Sequence, residues 1–271
     1  MLKSYLPQSP ILQKHIECFF IFNGEEKFTF NYLAFPHFNT GLSFIQHADI
    51  HRKEFQIDIV QQLNSDVKIE LLGKYLFPVR INYCGKVNEV SIIFKPLGIN
   101  RFFQESYHSI APQFSQELKN EEWIKFGKSL FDNEIDLTNL EVFLLSRYQD
   151  NDEIIRMENS LQFLHDLDFN SSISSIAEQL GYNLKTFQRH FIKHTSCSPV
   201  EYRRIVRFRH SIASKLNTEG VKSLTEITYE SAYYDQSYFI KEFKKLTGHN
   251  PKEFFKVAKQ VDGEKIVWKI L

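Results

Sequence analysis

The sequence predicts an α+β protein of two domains, β-rich at the start and all-helical at the end. Three observations predict it. Residues 1–115 carry short apolar or alternating runs broken by Gly and Pro, among them "GLSFIQH", "VKIELLGKYLFPV" and "EVSIIFKPLGI". That is the pattern of strands in a small barrel or sandwich. Residues 116–152 turn acidic and helical in periodicity, as a linker would. In the last hundred residues one phrase is written twice, "KTFQRHFIKHTSCSPVEYR" at 185–203 and "SYFIKEFKKLTGHNPKEFF" at 237–255. A chain of 271 residues has room for two domains on the rough scale of ~150 residues each. With 42% hydrophobic residues it has the composition to fill two cores.

In the first domain the densest apolar run, "CFFIF" at 18–22, is strand-sized and far below the ~18 residues of a membrane span. No cleavable signal pattern opens the chain. Cys18, Cys84 and Cys197 are odd in number and far apart, which argues for reduced thiols and a cytoplasmic location. His37, His47 and His51 are the available metal ligands, but the i, i+4 spacing of "HADIH" does not converge in a loop or strand end. No metal and no cofactor is expected. Neither a nucleophile triad nor a phosphate-binding Gly loop stands out, so the chain is not expected to be an enzyme. The 26 Phe residues would serve an apolar pocket or a generous core equally well. In the linker, Trp123, Phe126 and Leu130 form an apolar face expected to bury internally rather than meet a second subunit.

The repeat aligns at a constant offset. Ile173, Ile176 and Tyr182 match Leu224, Ile227 and Tyr233 at 51; after one inserted residue, Phe187, Phe191, Pro199 and Glu201 match Phe239, Phe243, Pro251 and Glu253 at 52. Each copy reads as two short helices joined by a tight turn, about 173–194 and 224–246. Asn183 and Asp235 are expected as N-caps of the second helices, and Ser223 and Glu226 stand at capping-box spacing. "SPVE" and "NPKE" start further helices with Pro at the first position. From Pro199 a helix should run to about Leu216, with Ile205, Phe208, Ile212 and Leu216 as its apolar stripe. Such a rod would hold the two units rigidly, so that both second helices enter successive major grooves of one duplex, ~34 Å apart.

Charge points the same way. Residues 171–260 hold 15 Lys and Arg against 8 Asp and Glu, whereas the remainder holds 18 against 25. A basic stretch on an acidic chain suits a polyanionic partner. The residues expected to reach base edges are Lys185, Thr186, Gln188 and Arg189 in the first unit, and Gln236, Ser237, Tyr238 and Lys241 in the second. Arg203, Arg204, Arg207, Lys244 and Lys245 are the expected phosphate contacts.

Over roughly 155–257 the sequence resembles the AraC/XylS family of bacterial transcription regulators. The resemblance rests on "IAEQLGYNLKTFQRHFIKHTSCSPVEYRRIVRFRHSI" and, more specifically, on "YYDQSYFIKEFKKLTGHNP". It implies a seven-helix DNA-binding domain over 153–260 with two helix-turn-helix units, a cupin-like sensor or assembly domain over 1–115, and a C-terminal tail at 261–271. Two positions depart from the family pattern: Ala232 and Ser196 stand where Gly is usual. An Ala in a left-handed position costs roughly 1 kcal/mol, so either the turn changes shape or the cost is tolerated. The expected function is a sequence-specific, ligand-responsive transcription regulator. Its implied partners are double-stranded DNA, a small-molecule effector, a second copy of the chain and, for an activator, RNA polymerase; no membrane is expected. Two rivals stand beside it: a metal- or sugar-handling cupin enzyme with a regulatory DNA-binding tail, and a constitutive regulator whose first domain only dimerises.

Overall fold

The computed structural model describes residues 2–25, 28–168, 171–216, 222–257, 259–261 and 266–270. The N-terminal part contains β1 (Leu2–Tyr5), α1 (Pro10–His15), β2 (Ile16–Asn23), β3 (Thr29–Ala34), β4 (Thr40–Gln46), β5 (Ala48–Lys53) and β6 (Gln56–Gln61). It continues with β7 (Lys68–Leu72), β8 (Val79–Cys84), β9 (Asn88–Phe94), a 3-10 turn (Gly98–Arg101), α2 (Tyr107–Ile110) and β10 (Ser115–Glu117). Two further strands, β11 (Lys259–Val261) and β12 (Ile266–Ile270), come from the far end of the chain. The strands form two six-stranded sheets. One has the order β1-β2-β9-β4-β7-β10; the other has the order β11-β12-β3-β8-β6-β5. Pairing is antiparallel except between β6 and β8.

The strand-like runs of the sequence sit where their patterns place them: "GLSFIQ" in β4, "KIELL" in β7 and "EVSIIF" in β9. Side chains alternate across a strand. In β9, Val90, Ile92 and Phe94 point away from the opposing sheet into a core with α3 (Glu121–Leu130) and α4 (Leu137–Arg147), whereas Glu89, Ser91 and Ile93 point between the sheets. The first sheet is therefore covered on both faces.

Residues 116–152, expected as a helical linker, open with two strand residues of β10 and then pack as a layer on that sheet. Trp123 is the reason. Its ring stacks on Phe103 at 4.5 Å and lies 6.1 Å from Phe44, so the apolar face of α3 is buried internally. Asn120 caps α3 through the Trp123 amide, and Glu121 and Glu122 suit its positive end. Gly127 lets α3 approach β4, since a Cβ there would meet Phe44 Cδ1 at 2.8 Å.

Seven helices follow among the described residues: α5 (Asp152–His165), α6 (Ile173–Gln179), α7 (Leu184–Thr195), α8 (Pro199–Leu216), α9 (Leu224–Glu230), α10 (Gln236–Thr247) and α11 (Pro251–Val257). They bury two clusters, one around Phe187, Phe191 and Tyr202, the other around Phe208, Phe239 and Phe243. The tail expected at 261–271 lies partly outside the described residues. Its described backbone forms the β11–β12 hairpin, with β12 pairing β3 so that Trp268 faces Ala34. No helix among the described residues is long and apolar enough to cross a membrane.

Candidate nucleic-acid interface and the cavity behind it

The duplication extends to single hydrogen bonds. α6 and α9 both have seven residues, α7 and α10 both twelve. Asn183 accepts from the Thr186 amide at 2.9 Å and Asp235 from the Tyr238 amide at 2.7 Å, so both are caps as expected. The first turn closes with Tyr182 N donating to Ala177 O and Gly181 at φ +74°; the second closes with Tyr233 N donating to Thr228 O and Ala232 at φ +55°. After the second helices, Ser196 (φ +56°) and Gly248 (φ +73°) take the same left-handed conformation. Thr195 and Thr247 then bond back to the carbonyls of Phe191 and Phe243. Ala232 and Ser196 therefore keep the shape of the turn and tolerate its cost. Each copy has one glycine and one substitute, in opposite places.

In both second helices the first half faces outward. Lys185, Arg189, Ser237, Tyr238 and Lys241 are exposed; Thr186, Gln188 and Gln236 are half-buried. Gln236 Oε1 accepts from Thr225 Oγ1 at 3.3 Å, tying α10 to α9. The buried side of α7 is held by Glu153 of α5, which contacts His190, Lys193 at 2.8 Å and His194 at 3.2 Å. Burial alone would raise the Glu153 pKa, but Lys193 and His194 outweigh it and hold the carboxyl at about 2.

α8 is the expected rod, unbroken for 18 residues and thus about 27 Å long. Ile205, Phe208 and Ile212 are buried along it, and Leu216 is half-buried. The arginines on it divide. Arg204 Nε donates to the buried Glu242 at 2.6 Å and ties the rod to α10, so this side chain has a partner inside the protein. Arg203 is half-buried; burial and then the neighbouring Arg207 pull its pKa down, and its Nη2 has no hydrogen-bond partner among the described residues. Lys244 and Lys245 are exposed.

The opposite ends of α7 and α10 dock on the N-terminal domain. For the first unit the contact is mixed: Asn100 Nδ2 donates to His194 O at 3.0 Å and His108 meets Ser196 at 3.3 Å, while Leu97 joins the buried cluster and Phe38 packs edge-on against His165 at 5.0 Å. For the second unit it is largely apolar, with Phe35 packed edge-on against Phe254 at 5.0 Å. Arg209 of α8 completes it, donating from Nε to Pro36 O and from Nη2 to Phe35 O, both at 2.7 Å. Burial brings the Arg209 pKa down to about 10. Nearby, Lys74 donates to the carbonyls of Phe38 and Asn39, and burial lowers it to about 8.

Between the two sheets lies a cavity of about 400 Å³. Its walls are mostly apolar, and Phe35 and Arg209 belong both to the wall and to the contact just described. Among its polar groups, Glu70 pairs with Arg52. Glu89 accepts from Tyr83 Oη at 2.5 Å and Ser91 Oγ at 2.6 Å. The sequence reading missed this site. Its signal was polar residues inside apolar strands: Ser43, Glu70, and Glu89 and Ser91 two apart on β9. His37 also lines the cavity, but His37, His47 and His51 do not converge, and no group of three metal-ligating side chains occurs among the described residues.

A family model described as a helix-turn-helix domain matches residues 155–256. Among solved structures the chain is similar to ToxT from Vibrio cholerae O395, at 17% identity and TM-score 0.43, covering 87% of this chain and 95% of that one. It is similar also to unsaturated fatty acid-bound wild-type ToxT from V. cholerae strain SCE256, at 16% identity and TM-score 0.47, covering 91% and 98%. A further similar structure is the C-terminal domain of AraT, a response regulator from Geobacillus stearothermophilus, at 19% identity and TM-score 0.34, covering 40% of this chain and 88% of that one. Among curated proteins, none matches the sequence.

Proposed function

We propose that this chain, whose residues 155–256 are an AraC-type helix-turn-helix domain, is a sequence-specific transcription regulator that responds to a small molecule held between its N-terminal sheets. The observation that carries the DNA-binding part is the repeated unit: two twelve-residue helices with the same caps and closing turns, their first halves exposed and their far ends docked. Phe35 and Arg209 support the second part, because a ligand touching them touches the rod that spaces the two units.

On this reading Arg189 and Lys185 donate to guanine edges, Gln188 and Gln236 to adenine, and Ser237, Tyr238, Thr186 and Lys241 complete the two contacts. Arg203, Arg207, Lys244 and Lys245 meet phosphates, which position the protein and make binding fall with salt. An anion beside Arg203 would give its buried Nη2 a partner. Arg204 gives its Nε to Glu242, and its Nη2, which like that of Arg203 has no hydrogen-bond partner among the described residues, remains for a phosphate.

The test is DNA binding by fluorescence anisotropy, on a site found by genome-wide mapping of where the protein sits. Arg189→Ala and Gln236→Ala should each weaken specific binding by ~1–3 kcal/mol with little loss of stability. Wild-type affinity in both variants would remove these helices from the interface.

A further inference from the structure

We infer that the end of the cavity around Glu89 is a receptor for the positively charged group of an organic cation, and hence that the effector is an ammonium compound with an apolar body. The inference rests on the reading of this cavity as the effector site. Glu89 is only 6% exposed yet lines the cavity. Two hydroxyls donate to it, filling two of the roughly four acceptor positions of a carboxylate. Among the described residues, no Lys, Arg or His pairs with it. Its fellow carboxylate Glu70 has Arg52, so the contrast lies within one cavity.

The walls around Glu89 are aromatic. Phe22 lies 5.0 Å from Tyr83 and 5.3 Å from Phe28, and Phe30 lies 5.5 Å from Tyr32. All five rings line the cavity. Ring faces attract cations, and a box of rings closed by a carboxylate suits an alkylammonium rather than a strongly hydrated metal ion. The cavity is also electrically polarised along its length. Arg209, which lines the cavity, sits by the 35–36 segment that follows β3. Tyr83, which holds Glu89, pairs with Phe30 near the other end of that strand. Four residues of strand from Phe30 to Ala34 make this separation roughly 13 Å. An elongated ligand would thus be oriented with its cationic end at Glu89.

The experiment uses the full chain and three probes that share one body: 3-phenylpropylammonium, 3-phenylpropan-1-ol and 3-phenylpropanoate. By titration calorimetry the ammonium should bind about ten-fold more tightly than the alcohol, and Glu89→Gln should abolish that preference. In the unmodified protein, Overhauser contacts from the methylene beside the nitrogen should reach the rings of Phe22 and Tyr83. Contacts to Tyr75 and Phe35 instead, tighter binding of the propanoate, survival of the preference in Glu89→Gln, or binding of none of the three would each overturn the inference. DNA affinity with and without each probe separates this from the underlying reading. If the ammonium binds through Glu89 and DNA affinity does not change, the receptor stands and the effector role of the cavity falls. If only the propanoate changes DNA affinity, the effector role stands and the ammonium inference falls.

Discussion

The two helix-turn-helix units are nearly copies, yet they are tied to the rest of the molecule by different chemistry. The first is joined by hydrogen bonds from the segment after β9, through Asn100 to His194 and through His108 to Ser196, beside the packing of Leu97 and Phe38 on its core. The second is joined by ring packing at Phe35 and by the buried guanidinium of Arg209, both in the cavity wall. The difference teaches that duplication preserved what each unit needs to fold, while its docking contacts diverged. A change in the cavity therefore has a direct route to the rod and the second unit, through two residues of its own wall.

The sharpest way to break this comparison is to cut each tie in turn. Asn100→Ala should have the largest effect, a loss of about 3 kcal/mol of stability by urea unfolding. It removes the donor to His194 O and the acceptor for the Tyr107 amide, both at a buried site. Arg209→Met should cost about 2 kcal/mol, because the methionine keeps much of the stem packing but not the two charge-assisted bonds. Their consequences for function should differ. Arg209→Met should uncouple DNA affinity from ligand addition, whereas Asn100→Ala should retain the coupling; equal coupling in both variants would mean that the two docking routes are equivalent.

Acid should separate the units next. His194 is 4% exposed, and at the matching place in the second unit stands Leu246. Burial lowers the His194 pKa despite the opposing pull of Glu153. Burial, then Arg101, lowers His15 to about 4. In the unfolded chain these imidazoles take a proton near ~6.5, so between that pH and the lowered values the unfolded state binds more protons. Stability is thus full above ~6.5 and falls as the pH drops toward 4. Below ~4.5 the loss continues, because the unfolded chain protonates the Glu153 carboxyl that the fold holds at about 2. Hydrogen exchange at pH 5.5 should show residues 184–195 loosening before 236–247. The reverse order would mean that His194 does not set the acid response of the first unit.

The smallest effect belongs to the turns. Ala232→Gly should stabilise by about 0.5–1 kcal/mol, because the residue holds a left-handed conformation that glycine reaches without a Cβ clash, and Ser196→Gly should gain less, since it also gives up the Oγ contact with His108. Thermal unfolding would read this as a rise of a few degrees. A fall instead would show that the Ala and Ser side chains make contacts worth more than the strain.

The helical domain was legible because its signals are local. Asn183, Asp235, Ser223, Glu226 and the Pro-led starts are caps that act within one turn of their own position, and the structure uses each of them. The apolar stripe of α8 was legible for the same reason, since helical periodicity puts Ile205, Phe208 and Ile212 on one face. Arg204 was not. Nothing near it in sequence indicates that Glu242, 38 residues away, would accept from its Nε. Nor did the strands reveal which polar residues share a cavity: Glu70 and Glu89 lie on different strands, and Arg209 lies in the other domain.

By itself, then, the amino-acid order determined where helices begin and end, that one unit is written twice, and which half of each second helix is outward. These follow from backbone caps and periodicity, whose range is a few residues. Only the tertiary structure decided that the polar residues Ser43, Glu89 and Ser91 face one cavity and that an arginine of the rod lines it. Strand pairing and domain packing bring together groups more than a hundred residues apart, and no local pattern records such a meeting.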